Sequence, residues 1–411
     1  MDILNFAAAL VTVAALCAWL NQRLLKLPTT IGVMIIGMLL SSSLLVAQHY
    51  GFNVAQPLVE KVKLIDFNEV LMQGMLSFLL FAGALHVKLD DLRRQKWTIG
   101  VLASVGVIAS TFAVGFATQW MLGLLGISLP FLYCLLFGAL ISPTDPIAVM
   151  GILRTAGVTK DMQTAVAGES LFNDGIGVVV FLVIAGIIAS GAAPDPIAIG
   201  ELFAIEALGG LVFGLVIGRI ALWMMRGIDN YQVEVLVTLA LVMGGYSLAH
   251  MLHVSGPLAM VIAGLIIGNH GRDLAMSQAT QKYVDLFWEL IDEILNVLLF
   301  LLLGLELLII TINGDYIQAG LIAIPMILLI RMVCVGIPLT LLGGVRQLGV
   351  ASIPILTWAG LRGGISVALA LTIEAGVERD LIVTMTYCVV LFSIVVQGMT
   401  VGPLVRILSR R

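Results

Sequence analysis

The chain has 411 residues, of which 60% are apolar and only 11% charged, where a soluble domain carries about 25% charge. An ordinary soluble globule is thereby excluded, and with 21 basic against 25 acidic residues no basic face is left to grip nucleic acid. The 43 glycines, above the usual share of about 7%, suit helices packed closely in lipid.

Runs long enough to cross a bilayer need about 17 to 25 residues each. Bracketed by charged or Gly/Pro-rich breaks, thirteen are predicted in chain order: 3–20, 29–47, 69–87, 97–125, 130–153, 161–190, 202–225, 231–252, 255–269, 284–311, 316–343, 350–376 and 381–405. The fold class expected is an all-α polytopic membrane protein. The ninth span is the weakest, short and rich in glycine. The first run has no basic segment before it, and Arg23 and Lys26 follow it, as in a retained span and not a cleaved leader.

Basic residues check the span count, because cytoplasmic loops carry the excess of Lys and Arg. Sixteen of the 21 fall on one side: Arg23 and Lys26; Lys88, Arg93, Arg94 and Lys96; Arg154 and Lys160; Arg219 and Arg226; Arg272 and Lys282; Arg346; and Arg406, Arg410 and Arg411. Three, Lys61, Lys63 and Arg379, fall on the other, and two, Arg331 and Arg362, sit mid-span. This places the N-terminus outside and the C-terminus in the cytoplasm.

Two spans are interrupted. The fifth contains Ser142-Pro143-Thr144-Asp145-Pro146, where two prolines remove donors and disfavour helix at the residues before them. The twelfth contains Gly360-Leu361-Arg362-Gly363-Gly364, whose glycines permit an unwound stretch. The interruptions are seven spans apart, so the two spans run in opposite directions. That predicts two six-helix inverted-topology repeats, spans one to six and eight to thirteen, joined by span seven, with the paired breaks at a midplane transport site.

The sixth span carries Gly168-Glu169-Ser170-Leu171-Phe172-Asn173-Asp174-Gly175. Glu169 and Asn173 are four apart, as are Ser170 and Asp174, so two adjacent helical ridges face inward together. An ionisable group at the bilayer centre costs about 2.5 to 3.5 kcal/mol even on a lenient scale. Asp145, Glu169, Asp174, Arg331 and Arg362 are therefore read as functional. Three acids against two bases leave one negative charge, which fits a site holding one cation or one proton in turn. Asp174 and Ser170, with carbonyls freed near Thr144, supply the oxygen ligands a hard alkali ion prefers. Burial raises a carboxylate's proton affinity while neighbouring cations lower it, so one Asp can carry either ion near neutral pH.

Other polar residues receive blander readings. Glu206, Glu234, Glu306 and Glu374 lie nearer span ends and are assigned to interfaces or packing. Asp285, Glu289, Asp292 and Glu293 open the tenth span from the cytoplasmic side, as a solvated helix face or as a funnel that concentrates cations. His86 ends the third span and is ambiguous. Cys17, Cys134, Cys334 and Cys388 stand singly in apolar runs, which makes them packing residues. His250 and His253 have no carboxylate partner evident in the sequence, which argues against zinc chemistry. No cofactor is expected.

The three motifs, in this order, resemble those of bacterial NhaP-type sodium/proton antiporters, relatives of the animal sodium/proton exchangers. The resemblance covers essentially all spans. It implies that Asp174 alternates between cation and proton, that Ser170 and the Thr144 backbone are ion ligands, and that Asn173 is the structural partner beside the site. It further implies a Glu169–Arg331 pair holding spans six and eleven together, with Asp145 and Arg362 balancing helix ends at the crossing. An Asn-Asp pair implies electroneutral one-for-one exchange. The resemblance also implies a homodimer in which a core of spans four to six and eleven to thirteen (about 97–190 and 316–408) moves against a scaffold of spans one to three and eight to ten (about 1–96 and 231–312), span seven (about 200–226) connecting them.

One departure concerns the third span, Leu79-Leu80-Phe81-Ala82-Gly83-Ala84, where Ala82 stands in place of an acid common in the family. A second is the close of the chain six residues after the last span, which implies no cytoplasmic regulatory tail. Sodium, lithium and potassium are not separated by the ligand types, so potassium/proton exchange remains an alternative. A channel, which needs polar rings or a carbonyl filter, and an aspartyl dyad of Asp145 and Asp174, which two nearby arginines would keep ionised, are the competing classes.

Overall fold

The structure, a computed structural model, describes residues 3–50, 74–191, 196–308, 313–344, 348–349 and 351–408. Within these a helix stands at each of the thirteen predicted spans. Lys61, Lys63, Arg346, Arg410 and Arg411 of the charge pattern lie outside the described residues.

The first half comprises α1 (Ile3–Leu20), α2 (Thr29–His49), α3 (Leu76–Leu85), α4 (Lys96–Leu124), the broken pair α5a (Phe131–Ile141) and α5b (Ile147–Thr155), and α6 (Lys160–Ser190). The connector α7 (Pro196–Met225) leads to α8 (Tyr231–Met251), α9 (Gly256–Ile266), α10 (Gln278–Glu306), α11 (Gly314–Leu341), the second broken pair α12a (Ser352–Ala359) and α12b (Gly364–Leu371), and α13 (Val377–Leu408). Each half thus carries its broken helix in fifth place.

Helix ends follow local chemistry. Thr159, Asn230, Ser255, Ser277 and Asn313 each accept a backbone N–H with the side chain at the start of a helix, satisfying donors that the first turn leaves orphaned. Gly191 closes α6 with φ 59°, a left-handed conformation that glycine adopts without penalty. The glycine-rich ninth span is helical because its glycines admit a neighbour: a Cβ on Gly264 would stand 2.7 Å from the Phe81 carbonyl of α3, and one on Gly268 would run into the Leu85 carbonyl. Small residues permit this approach where lipid supplies no hydrophobic drive between helices.

The outward faces are apolar. Trp120, Trp223, Leu208, Leu215 and Leu329 are exposed around the bundle, as expected of a surface that meets hydrocarbon chains. Inside, one hydrophobic core runs through α4, α5, α6, α11, α12 and α13, with α2 and α10 along it. A second joins α3, α7, α8 and α9 with the start of α10 around the buried Trp288, and takes in Ile99 of α4 and Leu171 of α6.

Candidate functional site

Breaking a helix at mid-depth frees backbone N–H and C=O groups that hydrocarbon cannot satisfy. Here each broken helix satisfies the other. The extended stretches of α5 and α12 lie antiparallel, joined by an isolated bridge in which the Asp145 N–H donates to the Leu361 carbonyl at 2.7 Å.

The carbonyls at the end of α5a carry partial negative charge, and Arg362 comes from the other half to meet them. Its Nη1 donates to the Ser142 carbonyl and, at 2.8 Å, to the Pro143 carbonyl. The Arg362 N–H in turn donates to Ser393 Oγ at 2.8 Å, Ser393 donates to Gln397 Oε1 at 2.7 Å, and Gln397 donates to the Trp358 carbonyl at 3.1 Å. The break in α12 is thereby tied to α13. Asp145 lies against Gly363, where a Cβ would stand 2.6 Å from the Asp145 Cβ, so glycine is required beside the start of α12b. That places a carboxylate near the positive end of that helix.

Thr144 is fastened to α6. Its N–H donates to Asn173 Oδ1 at 3.2 Å, its hydroxyl accepts from Asn173 Nδ2 at 2.9 Å and also shares a 2.9 Å hydrogen bond with Ser170 Oγ. A Cβ on Gly177 would collide with the Pro143 ring, so the close approach of α6 to the break needs that glycine. One turn of α6 away, Glu169 is buried and accepts from Arg331 Nη1 of α11 at 2.5 Å. Arg331 also reaches the α12a end, donating to the Leu356 carbonyl at 3.5 Å, and a Cβ on Gly360 would stand 2.9 Å from its Nε.

Asp174 occupies a different setting. It lines a cavity of about 440 Å³ together with Pro143, Thr144, Asp145 and Ser366. The same cavity is lined by Lys88, Asp91, Arg154 and Lys160, so it runs from the crossing to the basic end of the bundle. All eight predicted residues thus gather at the crossing, in two layers: Asp174, Thr144 and Asp145 on the cavity, and Ser170, Asn173, Glu169, Arg331 and Arg362 behind it. Ser170, expected as an ion ligand, has its hydroxyl engaged with Thr144. Ala82 is fully buried, and the α3 wall of the cavity is Leu76, Leu79, Leu80 and Gly83. No acid faces the cavity from that helix.

Several features were not legible beforehand. Ser393 and Gln397, four apart in an apolar span, carry the break of α12; their spacing was the available signal. Asp285, Glu289, Asp292 and Glu293, for which a solvated face and a cation funnel were both open, line a second cavity of about 860 Å³ with His86 and Arg154. Glu234 is fully buried and its two carboxyl oxygens lack hydrogen-bond partners among the described residues; Glu306 is buried and Glu374 lies exposed beyond α12b. Glu206 lies within electrostatic range of His250 and His253, a proximity made by packing α7 on the α8–α9 turn. Among the described residues no three His, Cys, Asp or Glu converge as a metal cluster.

Residues 11–407 match the family described as "Sodium/hydrogen exchanger, transmembrane". The chain is 52% identical to the Na(+)/H(+) antiporter NhaP of Pseudomonas aeruginosa over 98% of its own length and 96% of that protein's. It is 34% identical to the Na(+)/H(+) antiporter NhaH of Halobacillus dabanensis over 93% of each chain. Its fold is that of the sodium proton antiporter MjNhaP1 from Methanocaldococcus jannaschii at pH 8, with TM-score 0.74, 20% identity and coverage of 98% of this chain and 97% of that one.

Proposed function

The chain belongs to the sodium/hydrogen exchanger family, and on that premise we propose that it is an electroneutral antiporter in the inner membrane of a bacterial cell, exchanging one Na+ or Li+ for one H+. The names of its relatives support the ion pair. The observation that carries the reading is Asp174 on a cavity floored by two crossed, unwound helices.

Asp174 holds the cation or the proton, never both, and this competition is the coupling. A hard alkali ion takes carboxylate, hydroxyl and carbonyl oxygens; Asp174 and the Thr144 backbone supply them, and Ser170 does so once its bond to Thr144 Oγ1 is released. Among the five midspan charges, Glu169 is matched by Arg331, while Asp145 and Arg362 each balance a helix end. Asp174 is left as the single variable charge, which supports one-for-one exchange.

The cavity leads to the end that carries most Lys and Arg residues, the cytoplasmic end by the positive-inside rule, with the N-terminus outside. The protein stands inward-open. Alternating access follows if α4–α6 with α11–α13 shift against a dimerising scaffold of α1–α3 and α8–α10. No cofactor takes part.

The test is proton flux in inside-out vesicles on addition of Na+, Li+ or K+. Exchange is expected with Na+ and Li+, at a rate independent of an imposed potential, with the KM for Na+ rising as protons compete at lower pH. Exchange retained in Asp174→Asn overturns the single-carboxylate mechanism, a potential-dependent rate overturns the stoichiometry, and exchange with K+ alone overturns the choice of ion.

A further inference from the structure

Glu234 lies in the first turn of α8 and lines neither cavity. It is fully buried, and neither carboxyl oxygen has a hydrogen-bond partner among the described residues. Three links join this part of α8 to the start of α10. Asp229 Oδ1, just before α8, accepts from Thr280 Oγ1 at 3.0 Å, Tyr231 stacks on Tyr283 with ring centroids 4.5 Å apart, and Thr238 Oγ1 accepts from Trp288 Nε1 at 3.0 Å. Glu234 is three residues after Tyr231 and four before Thr238, so the three share one helix face. Its carboxyl therefore sits in the seam between the tyrosine stack and the tryptophan bond.

The polar groups around it are already committed. Thr238 gives its proton to the Val235 carbonyl at 2.8 Å, and Thr280 gives its own to Asp229. The charged group within electrostatic range is Asp229, a second acid. Arg226 and Lys282 are exposed, Arg272 is paired with Asp285 at 2.7 Å, and α3 and α9 meet α8 with apolar side chains. An ionised carboxylate buried without a partner is so costly that the group takes up a proton instead.

We propose that Glu234 is a regulatory proton-binding site, which holds the α8–α10 seam closed while protonated and opens it when the proton leaves. The site lies at the end of the bundle that carries Arg226, Arg272 and Lys282, so its proton exchanges with the cytoplasm. The same α10 walls the larger cavity, a vestibule lined by Asp285, Glu289 and Asp292. A change at the seam thus moves a wall that the cation passes, and cytoplasmic pH acts on exchange through a group separate from Asp174. Linkage fixes the sign. The closed seam binds the proton, and the open one, with the glutamate in water, releases it above the ordinary carboxylate range of about pH 4.3. Opening is therefore favoured about tenfold for each unit rise in pH until the closed form itself ionises.

The test uses the full-length protein in liposomes and takes the proton as its probe. At neutral pH the infrared spectrum of the parent should contain a protonated-carboxyl stretch that is lost in Glu234→Gln and kept in Asp174→Asn. Hydrogen exchange of the amides of 231–241 and 280–288, corrected for the intrinsic chemical rate, should quicken about tenfold per pH unit in the parent. In Glu234→Gln, whose amide imitates the neutral acid, it should not depend on pH. The pH profile of Na+-driven proton flux should shift in this variant while Na+ still competes with protons. Glu234→Leu, a second variant without the carboxyl, is expected to give the same three results. A carboxyl stretch unchanged in both variants overturns the site, as does seam exchange that keeps its pH dependence in both. Loss of the same stretch in Asp174→Asn places the proton at the crossing and overturns it as well. An unshifted flux profile overturns the hold of the seam on transport.

Discussion

Glu169 and Asp174 are five residues apart on one helix, both acidic and both buried, yet the fold treats them as opposites. Glu169 faces α11 and is matched by Arg331 at 2.5 Å, a guanidinium that also reaches the end of α12a. Asp174 faces the cavity, beside Thr144 and Asp145. Five residues turn a helix through about 500°, so the two side chains point along directions about 140° apart. One direction meets a neighbouring helix and the other an open cavity. A carboxylate fixed by a buried guanidinium is a strut, whereas one on an open cavity is within reach of solutes.

The largest effect expected from this contrast is on transport. Asp174→Asn keeps size and loses the exchangeable charge, so Na+-driven proton flux should fall to the level of empty vesicles while the melting temperature stays near that of the parent. A protein that unfolds instead would make Asp174 a strut as well.

Glu169 should show the reverse pattern. Glu169→Ala or Arg331→Ala leaves its partner buried and unpaired, a change that costs about 3 to 5 kcal/mol. The expected readout is a large fall in melting temperature and in the yield of folded protein. Glu169→Met combined with Arg331→Met, which removes both charges and keeps volume, should recover much of that stability. Failure of the double variant to recover would show that the contact of Arg331 with the α12a end outweighs the pair.

Arg362 tests the crossing itself. Its guanidinium serves the Ser142 and Pro143 carbonyls, just past α5a, from a single nitrogen and is buried. Arg362→Lys keeps charge but not the planar geometry; a stability loss of about 1 to 3 kcal/mol is expected, with exchange slowed at all Na+ concentrations. A change in KM alone would place Arg362 at the ion and not at the helix end.

The smallest effect belongs to packing away from the charges. Gly268→Ala forces a methyl group onto the Leu85 carbonyl, and overpacking of this kind costs about 1 to 3 kcal/mol. Thermal unfolding should register it while the KM for Na+ stays unchanged. A shifted KM would tie the α3–α9 contact to the cavity wall, of which Leu79, Leu80 and Gly83 are part.

Much of this was legible in the chain because membrane rules are severe. A bilayer fixes span length, forbids unpaired backbone and penalises every midspan charge. Thirteen spans, two breaks and five midspan charges could therefore be read from apolar runs, prolines, glycines and sparse ionisable residues. The ninth span shows how this works even where the signal is weak: its glycines, which blur a hydropathy reading, are the residues that let it approach α3.

Other features depend on which side of a helix meets which neighbour. The sequence placed Ser170 and Asp174 on one inward ridge, but packing set Ser170 against Thr144 and left Asp174 on the cavity. The four acids of α10 left a solvated face and a cation funnel both open, and packing decided between them by setting the start of that helix on the wall of a vestibule. Ser393 and Gln397 gained a role only when α13 was laid against the break in α12.

What the sequence alone determined was the list of charges sunk into the membrane and the two places where helix must fail, because solvation energy and backbone hydrogen bonding are local and severe. What only the tertiary structure decided was the pairing of those charges, Glu169 with Arg331, Arg362 with the carbonyls just past α5a, and Asp174 with an open cavity. Partners 162 and 219 residues apart in the chain are chosen by helix rotation and packing, which no local pattern encodes.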